Sequence, residues 1–129
     1  MATVDTIMSR NLVTVEPLTP LDEAARQMHS HRIGAVLVMS GERVSGILTE
    51  RDVLRAVATG QIEGTNVAAW MTRDPETIEP SDTSSHAAAL MIHGAFRHLP
   101  VVEDGKPVGI VSIRDLMRLV LDDESPRGA

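Results

Sequence analysis

An internal repeat is the feature that most constrains the fold of this chain. Shifting the sequence by 63 residues (Met71 minus Met8) aligns residues 4–57 with residues 67–120 without a gap. Of these 54 aligned positions, 16 are identical. Self-similarity at a fixed period indicates one supersecondary unit that is used twice. We therefore expect two similar half-domains related by a pseudo-two-fold axis, and any site at their interface should occur as a pair.

The patterning within each copy predicts the order β-α-β-β-α. In the first copy, Leu21, Ala24, Ala25 and Met28 follow a helical spacing directly after Pro20. Apolar runs bounded by turn residues predict the strands. For the first copy we predict a lead-in helix from a Thr3 cap to Ile7, strands at 12–15, 36–39 and 44–48, and a last helix from Thr49. For the second copy we predict strands at 77–78, 99–102 and 108–111, and helices at 85–93 and 112–121.

These elements predict an α/β protein of the α+β type, made of two half-domains. The first half-domain, with its lead-in helix, is predicted at 1–60, and a linker at 61–66. The second half-domain follows at 67–122, and residues 123–129 are predicted to be a polar tail.

Composition excludes several classes of function. The chain has no Cys, which excludes disulfides, thiolate catalysis and thiolate metal sites. Its net charge of −6 and 2% aromatic content argue against nucleic-acid binding, which needs clustered basic residues or stacking platforms. No apolar run approaches the ~20 residues that span a bilayer, and the N-terminus has no signal-peptide pattern. We expect a soluble, cytoplasmic protein that binds neither membrane nor nucleic acid.

Both copies carry a hydroxyl residue and an aspartate where a buried strand turns into a helix. These motifs are Thr49-x-x-Asp52 and Ser112-x-x-Asp115. The pattern is typical of a capping box, in which hydroxyl and carboxylate satisfy the free N–H groups of the helix start. A carboxylate in this position can also accept hydrogen bonds from a vicinal diol such as a ribose. The two interpretations are compatible, and both stay open at this point.

The paired copies resemble a tandem cystathionine-β-synthase (CBS) domain, or Bateman module, over about residues 4–121. Residues 46–52 (Gly-Ile-Leu-Thr-Glu-Arg-Asp) and 98–112 carry the resemblance, together with the duplication and the element order. The resemblance implies a regulatory or sensor protein, not an enzyme, without an obligatory cofactor. Such modules bind adenosyl compounds (AMP, ADP, ATP, S-adenosylmethionine or NAD) in clefts between the half-domains and signal to an effector protein.

The resemblance also implies which residues contact the ligand. The ribose contacts of the family fall on Thr49, Asp52, Ser112 and Asp115. The adenine pocket is implied to include Thr14, Ala35, Val36, Thr77, His98 and Leu99. The phosphate contacts are implied at Arg97 and His98, with Arg51 and Arg114 as further candidates.

The two copies differ at the implied phosphate contacts. Gly34-Ala35 in the first copy replaces Arg97-His98, and Leu37 replaces Pro100. The two clefts should therefore differ in charge. We expect at most one of them to bind a phosphorylated ligand tightly.

The residues suggest two rival functions, a metal site and a ligand-free interaction module. The histidines His29, His93 and His98 suggest a metal site, but solvated histidines explain them more simply, so we predict no metal. No nucleophile elbow, P-loop or HExxH motif indicates catalysis.

The alternative function is a ligand-free module for protein interaction or dimerisation. We expect a homodimer, with an interface on the outward helix faces around Leu54, Val57, Leu116, Met117 and Val120.

Overall fold

The computed structural model of the protein describes residues 2–123, and within it the chain forms two compact units. One unit consists of residues 12–75 and is called the Thr49 unit below. The other combines residues 1–11 with the chain from residue 76 onward and is called the Ser112 unit. The two units therefore divide the chain differently from the two sequence copies. The lead-in segment that begins each copy, residues 4–11 in the first and 67–75 in the second, packs within the unit formed by the rest of the other copy.

The Thr49 unit is a four-stranded sheet with two helices. Its four strands lie side by side in the order of the chain, with the first parallel to the second and the other pairs antiparallel. A 3-10 turn at Val67–Ala69 precedes the last strand. The elements are β1 (Thr14–Val15), α1 (Leu21–His31), β2 (Ala35–Ser40), β3 (Arg43–Thr49), α2 (Glu50–Ala58) and β4 (Thr72–Arg73).

The Ser112 unit has the same arrangement around a shorter sheet. Its central hairpin is flanked by single bridges, Ile78 to Val101 on one side and Ser9 to Ile110 on the other. A 3-10 turn at Val4–Thr6 begins the unit. The remaining elements are α3 (Ser84–Gly94), β5 (His98–Glu103), β6 (Lys106–Ser112) and α4 (Ile113–Asp123).

The strand predicted at residues 77–78 does not form. In the Thr49 unit, the N–H of Leu37 donates to the carbonyl of Val13 at 3.3 Å and helps to hold β1. Proline has no N–H, so Pro100, which aligns with Leu37, cannot make the corresponding bond. Ile78 keeps two hydrogen bonds to β5, because its N–H donates to the Pro100 carbonyl and its carbonyl accepts from the Val102 N–H. These two bonds form an isolated bridge rather than a strand.

Each hairpin is approached closely by a lead-in backbone. A Cβ added to Gly46 would lie 2.8 Å from the carbonyl oxygen of Thr72, and one added to Gly109 would lie 2.7 Å from that of Ser9. These distances are too short for any side chain. The repeated glycine is therefore required in both copies so that the lead-in backbone can pair with the hairpin.

Most predicted elements are confirmed with small shifts in their ends. Helix α1 begins after Pro20 and buries Leu21, Ala24 and Met28, and the central strands extend one or two residues beyond their predicted ends. The Thr3 cap is wrong, because the Thr3 hydroxyl donates to the Asp5 carboxylate and the helical segment is only a 3-10 turn. Residues 124–129 of the predicted tail lie outside the described residues, and Asp123 is the last residue of α4.

Each unit has its own hydrophobic core. Val15, Leu21, Val36, Val38 and Leu48 lie in the core of the Thr49 unit. In the Ser112 unit the core includes Val4, Ile78, Leu99, Val101 and Val111. Leu116 also lies in this core with 8% of its surface exposed, so its predicted place on an outward helix face is wrong. Between residues 2 and 123, no helix combines the length and the apolar character needed to cross a membrane.

Replacing Leu48 by Ala should lower the free energy of unfolding by about 2–5 kcal/mol, because its fully buried side chain would leave a cavity in the core. Leu18→Ala is the matched control, since Leu18 is 79% exposed and its loss should cost less than about 0.5 kcal/mol. Urea denaturation monitored by circular dichroism measures both. Equal effects of the two substitutions would contradict the assigned core.

Candidate functional site

The first predicted corner is formed by the end of β3 and the start of α2. Thr49 is the last residue of β3 and the residue before the helix. Its N–H donates to Oδ2 of Asp52 at 2.8 Å, and its hydroxyl lies 3.1 Å from the same oxygen. Asp52 is buried, with 8% of its surface exposed. The carboxylate is therefore held in one orientation at the helix start.

The second corner repeats this geometry at the end of β6. The N–H of Ser112 donates to Oδ2 of Asp115 at 2.7 Å, and the Ser112 hydroxyl lies 3.0 Å from that oxygen. The Asp115 N–H donates in turn to the Ser112 hydroxyl at 3.1 Å. The capping box is thus present in the structure. In both corners it uses Oδ2 of the aspartate, and Oδ1 points to other partners.

Strand register places the residues that differ between the copies next to these corners. Ala35 is paired with Thr49 across the sheet, and His98 is paired with Ser112. The residue before each of them anchors the helix start, since Glu50 N–H donates to the Gly34 carbonyl and Ile113 N–H to the Arg97 carbonyl. The Ser112 corner thus has an imidazole, and an exposed arginine before it, where the Thr49 corner has a methyl group.

Other residues predicted for the site lie further from the corners. Thr14 is exposed on β1 and pairs with Leu37, while Thr77 is exposed and immediately precedes the Ile78 bridge. Val36 and Leu99 are fully buried, and their side chains belong to the cores of the Thr49 unit and the Ser112 unit respectively.

Arg51 and Arg114 lie in the first turns of α2 and α4. Both side chains are exposed, and each directly precedes the aspartate of its corner. In the described residues, no hydrogen bond or ion pair holds either guanidinium. Both arginines are therefore able to move toward an anion at the helix start, where the helix dipole also favours negative charge.

Two arginines at the corners were missed in the sequence. Arg55 Nη2 donates to Oδ1 of Asp52 at 2.9 Å. Arg118 Nη1 lies 3.7 Å from Oδ1 of Asp115, which is an ion pair beyond hydrogen-bond distance. The Asp-x-x-Arg spacing in both copies is the signal that could have revealed them, because residues three apart on a helix are neighbours.

The histidines do not gather into a metal site. Among residues 2–123, no group of three or more His, Asp and Glu side chains could hold a metal ion. His31 Nδ1 is hydrogen-bonded to the carbonyl of Gln27, and His29 and His93 are exposed.

The family profile of the CBS domain matches residues 4–59 and again residues 67–122. The chain belongs to the CBS domain family. These two matches cover both sequence copies, so the chain contains a tandem CBS pair. The resemblance drawn from the Gly-Ile-Leu-Thr-Glu-Arg-Asp stretch and the duplication is confirmed.

Close relatives share most of the chain. The CBS domain-containing protein YhcV of Bacillus subtilis is 33% identical over 130 residues, covering all of this chain and 93% of YhcV. A protein with CBS domains from Burkholderia ambifaria MC40-6 has a structure with a TM-score of 0.90 at 34% identity. That match covers 99% of this chain and 100% of the other. The mixed α/β fold class is therefore confirmed.

Two similar structures contain adenosyl compounds. The CBS domain pair of MJ0100, in complex with 5-methylthioadenosine and S-adenosyl-L-methionine, has a TM-score of 0.89 at 26% identity, over 95% of this chain and 98% of the other. CBSX2 of Arabidopsis thaliana, in complex with AMP, has a TM-score of 0.82 at 27% identity, over 96% and 99%. CBS pairs of this fold thus include proteins that bind adenosyl ligands.

Ser112→Ala should lower the free energy of unfolding by about 1 kcal/mol, because it removes the hydroxyl that accepts from the Asp115 N–H. Ser112→Thr is the matched control, since the other copy has Thr at this position and the cap is retained. Thermal denaturation of both variants checks this. An equal loss of stability in the threonine variant would show that the cap is not the cause.

Proposed function

We propose that this CBS pair is a regulatory module that binds an adenosyl ligand at its strand-to-helix corners and signals occupancy to an effector protein. AMP, ADP, ATP, S-adenosylmethionine and NAD are the candidate ligands. The complexes of MJ0100 and CBSX2 support this class of ligand. The observation that carries the proposal is the pair of aspartates, each fixed through Oδ2 at a helix start, where an exposed arginine is the neighbour of Oδ1.

The ribose of the ligand would bind at Oδ1 of the aspartate. A carboxylate has about four lone-pair positions, and the capping box uses two of them on Oδ2. The remaining positions can accept O–H groups from a vicinal diol. Because Asp52 and Asp115 are largely buried and held by the backbone, little side-chain entropy would be lost on binding.

The base and the phosphate would be recognised differently at the two corners. Beside Thr49, the small Ala35 leaves room for a flat base against aliphatic groups. Beside Ser112, His98 and Arg97 supply donors, and Arg114 adds a charge at the first turn of α4. A phosphorylated ligand should therefore prefer the Ser112 corner, because charge-assisted hydrogen bonds to phosphate are the stronger ones.

Signalling would follow from a shift in population. A ligand changes an equilibrium between conformations only by its difference in affinity for them. Occupancy of a corner would favour one conformation of the pair, and an effector protein or a second copy would recognise that conformation. We propose that this takes place in the cytoplasm and without an obligatory cofactor.

Asp115→Asn should weaken the binding of AMP by about 1.5–3 kcal/mol, the size of hydrogen bonds to a charged group. Isothermal titration calorimetry with AMP measures the change, and Asp52→Asn tests the other corner. Asp104→Asn is the matched control, since Asp104 lies exposed in the turn between β5 and β6. If neither corner variant alters the affinity for AMP or S-adenosylmethionine, the assignment of the ribose site is wrong.

Exposed apolar side chains favour a second function, a module for protein interaction. Leu54 and Val57 lie three residues apart on α2 with 66% and 55% of their surface exposed. Met117 and Val120 repeat this spacing on α4, each 56% exposed. Each helix thus presents an apolar stripe of the kind that marks protein contacts. A homodimer would cover it whether or not a ligand binds.

Leu54→Arg should convert a homodimer into a 13.9 kDa monomer, because it places a charge in the apolar stripe. Light scattering at micromolar concentration reports the mass. Leu18→Arg is the control, since Leu18 is even more exposed, at 79%, but lies outside the helices. An unaltered chain that is already monomeric would contradict the dimer.

A further inference from the structure

The two corners are not equally open to a ribose, although their aspartates are identical. We infer that Arg55, clamped between Asp52 and Trp70, is a built-in competitor of the ligand diol at the Thr49 corner, whereas the Ser112 corner is open. This inference rests on the proposed function. It identifies a specificity-determining residue that ranks the two sites.

Counting acceptor positions distinguishes the two carboxylates. Asp52 accepts three hydrogen bonds, two from Thr49 on Oδ2 and one from Arg55 on Oδ1. Asp115 accepts two, both from Ser112. Of about four lone-pair positions, Asp115 has two left and can accept both hydroxyls of a diol. Asp52 has one left, so the second hydroxyl must displace Arg55.

Trp70 is the reason why Arg55 stays in place. The Arg55 guanidinium lies 5.6 Å from the centroid of the Trp70 ring, within the range of a cation–π interaction. Its Nη2 also lies 3.4 Å from the Trp70 carbonyl oxygen. The ring itself is fixed, because its Nε1 donates to the Thr65 hydroxyl at 3.0 Å and it packs against the core of the Thr49 unit.

The other corner lacks this clamp. Ile7 aligns with Trp70 in the repeat, and Ala2 aligns with Thr65, so neither an aromatic face nor its anchor is present. Arg118, which aligns with Arg55, lies 3.7 Å from Asp115, beyond hydrogen-bond distance, whereas Arg55 lies 2.9 Å from Asp52; their side chains are 67% and 57% exposed. Solvent screens such an ion pair strongly. A diol can therefore displace Arg118 at little cost.

The test measures adenosine binding with one corner disabled at a time. Adenosine has the diol but no phosphate and carries no charge. Removing an arginine therefore does not weaken a charge–charge attraction between the protein and the ligand. In the Asp115→Asn background, Arg55→Met should tighten adenosine binding about tenfold by calorimetry, the effect of removing an ion pair and a cation–π contact. In the Asp52→Asn background, the matched Arg118→Met should change the affinity less than twofold.

Trp70 fluorescence supplies a readout that a merely structural role of Arg55 would not give. In Asp115→Asn, adenosine should release Arg55 from the ring and alter the Trp70 emission, and Arg55→Met should remove this response. Unchanged or weaker adenosine binding when Arg55→Met is added to Asp115→Asn would overturn the inference. Adenosine binding by Asp52→Asn, which retains Asp115, would still support the proposed function in that case. If adenosine binds none of the variants, both the inference and the proposed ribose site are wrong.

Discussion

The fold depends on a close contact between each central hairpin and a lead-in backbone that comes from the other sequence copy. Ser9 pairs with Ile110, and Thr72–Arg73 pair with β3, in both cases against a strand whose glycine has no side chain. Strand β4 belongs to the second copy and the Ser9 bridge to the first, so neither copy by itself supplies all the backbone pairing of a unit. Each unit is therefore completed by residues that are distant in sequence.

This arrangement places a fixed carboxylate at the end of each hairpin. Strand pairing fixes Thr49 and Ser112, and the capping box then fixes the aspartates three residues later. The same carboxylate stabilises the helix start through one oxygen and, in the proposed function, would bind a ligand through the other. Structure and binding are compatible because the two tasks use different lone pairs of one group.

The two copies have kept the framework and changed its surroundings. The glycine of the hairpin, the capping pair and the arginine three residues after the aspartate recur at equivalent positions. In contrast, Ala35 aligns with His98, and Trp70 aligns with Ile7. The first difference places an imidazole beside one corner and a methyl group beside the other, and the second decides whether the arginine packs against an aromatic face. Two units of similar fold can in this way differ at equivalent corners without any change in their strands and helices.

The sequence by itself determined the duplication, the β-α-β-β-α order and the two capping pairs, because these depend on local spacing and on residues close along the chain. It also predicted the apolar helix faces, apart from Leu116, whose burial depends on the core of its unit. Only the tertiary structure decided that the lead-in segments are exchanged between units, that Pro100 prevents a strand at 77–78, and that Arg55 is clamped by Trp70. These features join residues far apart in sequence, or depend on which backbone N–H faces which carbonyl. Neither property can be read from the periodicity of a single segment.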